Sequence, residues 1–264
     1  MPANKLSITA IPAFSDNYIW LLEADGNACA VVDPGDEDPV LEVLKEQNLD
    51  LRYVLLTHHH PDHTGGVRDL LEQYDATVFG PSDDRMPFVH RVCREGDRVE
   101  LTELNAEFRV LEVPAHTRSH IAYHGEGVLF SGDTLFSLGC GRFFEGTAGD
   151  MQKSLDKLAA LPAETRNYCA HEYTQANCRF ALQVEPENSV LQARSQQIDS
   201  LRAAGKITLP TTLGDELAAN PFLRTREDGV VDAARRIDPA ATPGNSTMAV
   251  IRTAARAHAS SDDL

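Results

Sequence analysis

The chain has no apolar run approaching the roughly 18–20 residues that a membrane-spanning helix needs. Its opening residues, MPANKLSITAIPAF, lack the apolar stretch of a secretion signal. Neither a membrane nor an exported location is therefore expected, and the cytoplasm is. Basic residues are scarce: 24 Lys and Arg face 40 Asp and Glu, a formal net charge of −16. A surface so poor in cations repels nucleic-acid phosphates, but a small anion responds to the local field and is not excluded. The five cysteines (Cys29, Cys93, Cys140, Cys169 and Cys178) form no Cys-x-x-Cys pair. Such an odd, scattered set reads as reduced, mostly buried thiols in a reducing compartment. No Gly-x-Ser-x-Gly sequence is present, which removes the serine nucleophile of that motif. Internal repeats and low-complexity tracts are lacking too, and no segment signals an obligate protein partner.

What is there is an ordinary globular composition: 264 residues, 42% hydrophobic and 24% charged. That length holds one large core, or a core domain with a smaller companion. Charge is uneven along it. From Arg202 to Leu264 eight basic residues balance eight acidic ones, so the whole deficit lies earlier, as expected of two regions with different roles. Strands are expected at LSITAIPAF, NYIWLLEA, ACAVV, residues 53–56, 76–79, 127–131 and 167–170, with several more between Arg98 and His124. Helices are expected at 39–47, 66–74 and 151–161, the last ended by Pro162. Beyond Glu172 only helices are expected, at 174–184, 187–203 and 246–258. The pattern predicts an α/β domain over residues 1–172 and a helical extension over 173–264.

The informative segment is Thr57-His58-His59-His60-Pro61-Asp62-His63, which holds four of the ten histidines. Side chains alternate at a strand end, so His58 and His60 point one way and His59 the other. Asp62 and His63, beyond Pro61, sit in a turn entering a helix and can close on the same space. Imidazoles with a carboxylate suit Zn²⁺ or another first-row divalent ion. Further polar residues follow later apolar runs: His116 after VLEVP, Asp133 after VLFSG, and His171 after NYCA. Together they supply enough donors for two metals. Asp33, in its Asp-Pro-Gly turn, reads equally as a turn residue or as a partner that orients a ligand imidazole. His90, His120, His124 and His258 take a structural or solvated role by default.

HHHPDH fits the His-x-His-x-Asp-His signature of the metallo-β-lactamase superfamily. Within it the chain resembles the glyoxalase II (hydroxyacylglutathione hydrolase) family, on AFSDNYIWLL, SGDTLFSLGCGRFFEGT, HEYTQANCRFA and NPFLR. The resemblance implies an α/β fold, the αββα sandwich of that superfamily, with a helical C-terminal domain. It implies that His58, His60 and His116 bind one metal and Asp62, His63 and His171 the other, with Asp133 between them. Asp62 and Asp133 are then catalytic carboxylates as well as ligands. Zinc is the metal implied first, with iron or manganese as alternatives. The implied reaction is hydrolysis of S-(2-hydroxyacyl)glutathione, chiefly S-D-lactoylglutathione, the second step of methylglyoxal detoxification. Two cations sharing a water hold it as hydroxide near pH 7, against a pKa of about 15.7 for free water. A thiolate leaves without help from a dedicated acid, since a thiol has a pKa of about 8.5.

For the substrate the resemblance implies Arg142, Phe144, Tyr173 and Arg252. Phe144 stands where some members have Tyr, and Ala255 where the family has Lys, with Arg256 one position on. Ala115 and Ser119 replace common glycines. These departures touch glutathione affinity rather than the metal core. Alternatives are another hydrolase of the superfamily, a persulfide dioxygenase with one iron, and a non-catalytic metal-binding module. The second donor set, Asp62, His63 and His171, argues against the dioxygenase.

Overall fold

A computed structural model describes residues 6–262, and these divide into two compact units. The first runs through Glu112 and takes in Ser119–Gly132. The second comprises Val113–Arg118 and the chain from Asp133 onward.

The first unit begins with strands β1 (Ser7–Ala13), β2 (Asn17–Glu23) and β3 (Ala28–Val32), then helix α1 (Asp38–Gln47) and strand β4 (Asp50–Leu55). Helices α2 (Pro61–Thr64) and α3 (Val67–Gln73) precede β5 (Thr77–Pro81) and β6 (Arg91–Cys93). These six strands form one sheet in chain order, antiparallel from β1 to β3 and parallel from β3 to β6. Strand β2 is buried at nearly every position, as expected of a strand covered on both faces. One face, with Ile19, Leu21, Val31, Val54 and Val78, packs under Val40 and Leu44 of α1 and Val67 and Leu70 of α3. The remaining strands of this unit, β7 (Arg98–Leu101), β8 (Ala106–Glu112), β9 (Ile121–Gly125) and β10 (Val128–Gly132), pair antiparallel in sequence order. Tyr123 of β9 donates its hydroxyl to the Leu56 carbonyl at 2.9 Å, inside the protein. Its pKa lies well above the usual phenol value, first through burial.

The second unit opens with the short hairpin β11 (Leu135–Phe136) and β12 (Gly139–Cys140), then α4 (Ala148–Ala159) and β13 (Arg166–Cys169). Helices α5 (Thr174–Val184) and α6 (Ser189–Ala203), strand β14 (Thr211–Thr212), and helices α7 (Leu213–Ala219), α8 (Asp228–Ile237) and α9 (Asn245–Asp262) follow. Helix α4 starts three residues before the expected Met151 because Thr147 and Asp150 form a reciprocal capping box. Asn188 caps α6 through its side chain, accepting from Val190 and Leu191, which moves that start to Ser189. The expectation of helices alone beyond residue 172 needs correction. Strand β14 pairs antiparallel with β13, two residues being too few for a visible alternation. Helices α7 and α8 were unforeseen as well: the first is a single capped seven-residue turn set, and the second buries mainly Val and Ala.

The buried Tyr123 bond yields a stability test. Tyr123→Phe leaves the Leu56 carbonyl without that donor and should lower the unfolding free energy by about 1–2 kcal/mol, seen as a lower urea midpoint. An unchanged midpoint would mean that the bond contributes nothing net.

Candidate metal centre

The parallel register of β3 and β4 pairs Val32 with Leu55, so the chain beyond each strand emerges side by side. Asp33 follows β3 and takes a left-handed backbone, φ 52°. Its amide donates to the Leu55 carbonyl at 3.0 Å, which fixes it beside Thr57. From there its carboxylate accepts from the Thr57 amide at 2.8 Å, from the Thr57 hydroxyl at 2.7 Å, and from His63 Nδ1 at 3.1 Å. The hydroxyl has one proton and spends it on Asp33, so Thr57 Oγ1 accepts from His58 Nδ1, 3.0 Å away. Both imidazoles therefore carry their proton on Nδ1 and present a lone pair at Nε2. The Nε2 of His58 lies 3.0 Å from His60 Nδ1, and that of His63 lies 3.3 Å from Asp62 Oδ2. Asn17, at the start of β2, donates to both Asp62 Oδ2 (3.1 Å) and the Asp62 carbonyl (3.3 Å).

The backbone has to come close for this. Pro61 opens α2 at a position that needs no amide proton, which sets Asp62 and His63 on its first turn. A Cβ on Gly35 would lie 2.0 Å from the Asp62 carbonyl oxygen, so only glycine lets the Asp-Pro-Gly turn pack there. Asp33, His58 and His63 also offer ligand atoms within 4.8 Å of one another. Asp33 is occupied by three donors, so it orients the imidazoles rather than joining them on a cation. His59 Nδ1 lies 3.6 Å from Asp83 while its ring meets that of His60 edge-on at 4.7 Å, and His120 is buried and stacks on the His58 ring at 4.6 Å.

In the second unit His116 Nδ1 donates to the Arg142 carbonyl at 3.0 Å, which leaves its Nε2 as the lone-pair atom. That atom is 3.4 Å from Asp133 Oδ2, and His171 Nε2 is 3.3 Å from Asp133 Oδ1. One buried carboxylate thus directs one oxygen at each of two imidazoles. The donor chemistry suits a divalent cation: imidazole nitrogens, three of them on rings whose other nitrogen is held by a hydrogen bond (His58, His63 and His116), with carboxylates beside them.

The four residues expected at the substrate lie in the same unit, two of them against these imidazoles. Phe144 is 60% exposed and meets the His116 ring edge-on at 5.3 Å. Tyr173 is 37% exposed and stacks on His171 at 4.7 Å. Arg252 donates through Nε to the Gly141 carbonyl at 3.1 Å, so it is tethered rather than a freely solvated helix residue. Burial lowers its pKa, and the charges of Arg142 and Arg256 act in the same direction. An anion seated there would relieve that repulsion. Arg142 itself is exposed and contributes its carbonyl to His116. Thr57 escaped the sequence reading, because a threonine before a histidine run has no signal of its own. Its role depends on strand pairing.

A model of the metallo-β-lactamase superfamily matches residues 13–171, and one for the hydroxyacylglutathione hydrolase C-terminus matches 172–255. Solved structures agree on the fold. A B3 metallo-β-lactamase, BLEG-1, superposes at a TM-score of 0.63 with 21% identity, over 82% of this chain and 99% of that one. ETHE1 from Myxococcus xanthus gives 0.64 with 23% identity, over 96% and 99%. The chain thus has the metallo-β-lactamase fold with a helical C-terminal region, as the resemblance implied. The hydroxyacylglutathione hydrolase of Methylobacillus flagellatus is 50% identical over 245 residues, 93% of this chain and 96% of that protein. That of Aliivibrio salmonicida is 54% identical over 229 residues, 86% and 90%. The chain belongs to the hydroxyacylglutathione hydrolase family.

Two predictions follow from this geometry. Asp33→Asn puts an amide where His63 needs an acceptor, and zinc affinity should fall about 10–100-fold in a chelator competition; wild-type affinity would remove Asp33 from the site. All five cysteines are free and buried. Burial pushes Cys29 and Cys140 up to about 12 and Cys93 to about 11, and raises Cys169 and Cys178. Thiolate is therefore scarce at pH 8. A chromogenic disulfide should react slowly with native protein and quickly in denaturant, whereas fast native reaction at several thiols would contradict it.

Proposed function

We propose that the protein hydrolyses S-(2-hydroxyacyl)glutathione thioesters, S-D-lactoylglutathione above all, to glutathione and the hydroxy acid. The match of residues 172–255 to the hydroxyacylglutathione hydrolase C-terminus carries this reading, because that segment contributes Arg252, tethered beside the Arg142 loop. Residues 1–172 are the metal-binding domain and 173–264 the substrate-binding extension, a division supported by the meeting of the two family matches at 171 and 172. A cytoplasmic location belongs to the same proposal and is supported by five free thiols. No described helix is long and apolar enough to cross a membrane.

The donors are proposed to hold two divalent ions, zinc first and iron or manganese as alternatives: His58, His60 and His116 for one, Asp62, His63 and His171 for the other, with Asp133 shared. Asp133 supports the count of two because each of its oxygens faces a different imidazole nitrogen. A similar protein, TTHA1623, was solved in a di-iron-bound form; it is 25% identical with a TM-score of 0.57, over 82% of this chain and 100% of that one. Ions bound there would polarise the thioester carbonyl and lower the pKa of water.

The chain's own groups do the rest. Asp62, held by Asn17, and Asp133 are the carboxylates able to take a proton from the attacking water. Arg142 and Arg252 meet the glutathione carboxylates, with Phe144 and Tyr173 as walls around the thioester. No side chain needs to protonate the departing sulfur, since a thiolate is a good leaving group near pH 7.

The purified protein should bind about two zinc ions and release thiol from S-D-lactoylglutathione. Protein that is metal-replete and inert on that thioester, yet active on a lactone, would defeat the assignment. Asp133→Ala should lower turnover by three orders of magnitude or more, roughly the effect of losing a principal electrostatic group; near-normal turnover would rule out a shared carboxylate. Arg252→Ala should raise KM about tenfold with kcat nearly unchanged, and an unchanged KM would return the residue to the helix surface.

A further inference from the structure

The β11–β12 hairpin is buried throughout, yet it has only two residues in each strand to pair. Several of its other backbone groups are met by four side chains from three separate segments. Asn167 of β13 donates to the Leu135 carbonyl at 3.1 Å, and Asn177 of α5 to the Ser137 carbonyl at 3.0 Å. The Asn220 amide, at the end of α7, lies 3.1 Å from the Phe136 carbonyl and 3.0 Å from that of Gly139. Glu216 of α7 accepts from the Leu138 amide at 2.8 Å and from Asn220 at 2.9 Å. Leu138 sits at φ 57°, a conformation that L residues other than Asn and Asp rarely adopt. The Glu216 carboxylate and a buried apolar cluster around Leu138, with Ala181, Leu191, Ile198 and Ala219, hold it there.

What this hairpin carries makes the arrangement more than packing. Asp133 enters it and Gly141–Arg142 leave it. A Cβ on Gly141 would lie 1.8 Å from the Asp133 carbonyl oxygen. The Gly141 carbonyl anchors Arg252, and the Arg142 carbonyl holds His116. A shift of the hairpin backbone therefore moves three groups of the site at once: the shared carboxylate, one imidazole and one substrate cation.

We propose that Glu216 and Asn220 are positioning residues for the reaction, clamping the β11–β12 hairpin so that Asp133 and the Gly141–Arg142 carbonyls keep their places. This rests on the reading of Asp133 and His116 as ligands, and it adds two residues that touch neither metal nor substrate. Burial raises the Glu216 pKa, and the donors from Leu138 and Asn220 oppose that rise. The clamp needs acceptor geometry at residue 216 more than its charge, so Glu216→Gln is the conservative variant.

Zinc competition against a chelator, without substrate, separates this proposal from the assigned activity. Wild type, Asn220→Ala, Asn220→Asp and Glu216→Gln would be compared with Thr225→Val. That control loses a buried 2.6 Å bond to Gln152 in the same unit, away from the hairpin. Both Asn220 variants should release zinc at about tenfold lower chelator and lose about tenfold in kcat. Glu216→Gln should stay within about threefold of wild type, and Thr225→Val should keep its zinc and kcat at a similarly lowered melting temperature. Unchanged zinc affinity in Asn220→Ala, or an equal loss in Thr225→Val, would overturn the clamp. If the Asn220 variants fail to fold, Asn177→Ala, which frees only the Ser137 carbonyl, should weaken zinc binding in the same direction, and its failure to do so counts against the proposal equally. Wild-type protein that binds zinc but spares the thioester would defeat the assigned activity and leave the zinc comparison decisive.

Discussion

One carboxylate organises the first half of the metal centre. Asp33 accepts from the Thr57 amide, the Thr57 hydroxyl and His63 Nδ1 at once. Through the hydroxyl it also decides which nitrogen of His58 bears the proton. Two imidazoles are thereby set with their Nε2 lone pairs available, before any cation arrives. A buried carboxylate needs hydrogen-bond donors around it, and Asp33 has three. Its left-handed backbone and the Gly35 approach to Asp62 are local costs accepted for that geometry.

The same logic recurs in the second unit with different means. There a backbone carbonyl, that of Arg142, fixes the His116 tautomer, and the β11–β12 hairpin fixes the carbonyl. Side-chain amides from β13, α5 and the end of α7 complete the hairpin's hydrogen bonding. Buried backbone without sheet partners is expensive, and the chain meets that need with Asn residues from distant segments. The C-terminal region thus supports the hairpin, and α9 reaches the same segment through the bond from Arg252 to the Gly141 carbonyl.

How much of this could be read from residues alone follows from the range of each interaction. HHHPDH was legible because its donors lie within six positions and strand alternation with a proline-started helix fixes their directions. The helices at 174–184 and 189–203 were legible from spacing, one of them to the residue. Asp33 stayed ambiguous because its value depends on the β3–β4 register, 24 and 30 residues away from its partners. Glu216 had no local signature, and Asn220, although it opens the NPFLR stretch that carries the resemblance, had no role assigned to it: an acid and an amide in a short helix and its end show no task until the hairpin is seen against them. Arg252 was implied by the resemblance alone, because its bond to Gly141 spans 111 residues of the chain. Long-range pairing of polar groups is what sequence periodicity does not encode.

Two cations with Asp133 shared between them are what the proposed function requires of this chain. A crystal structure of the zinc-loaded protein, with anomalous scattering at the zinc edge, tests it most directly. The account predicts two peaks about 3.5–4 Å apart, with Asp133 in contact with both and Asp33 with neither. A single peak, or two peaks with Asp133 touching only one, would contradict it.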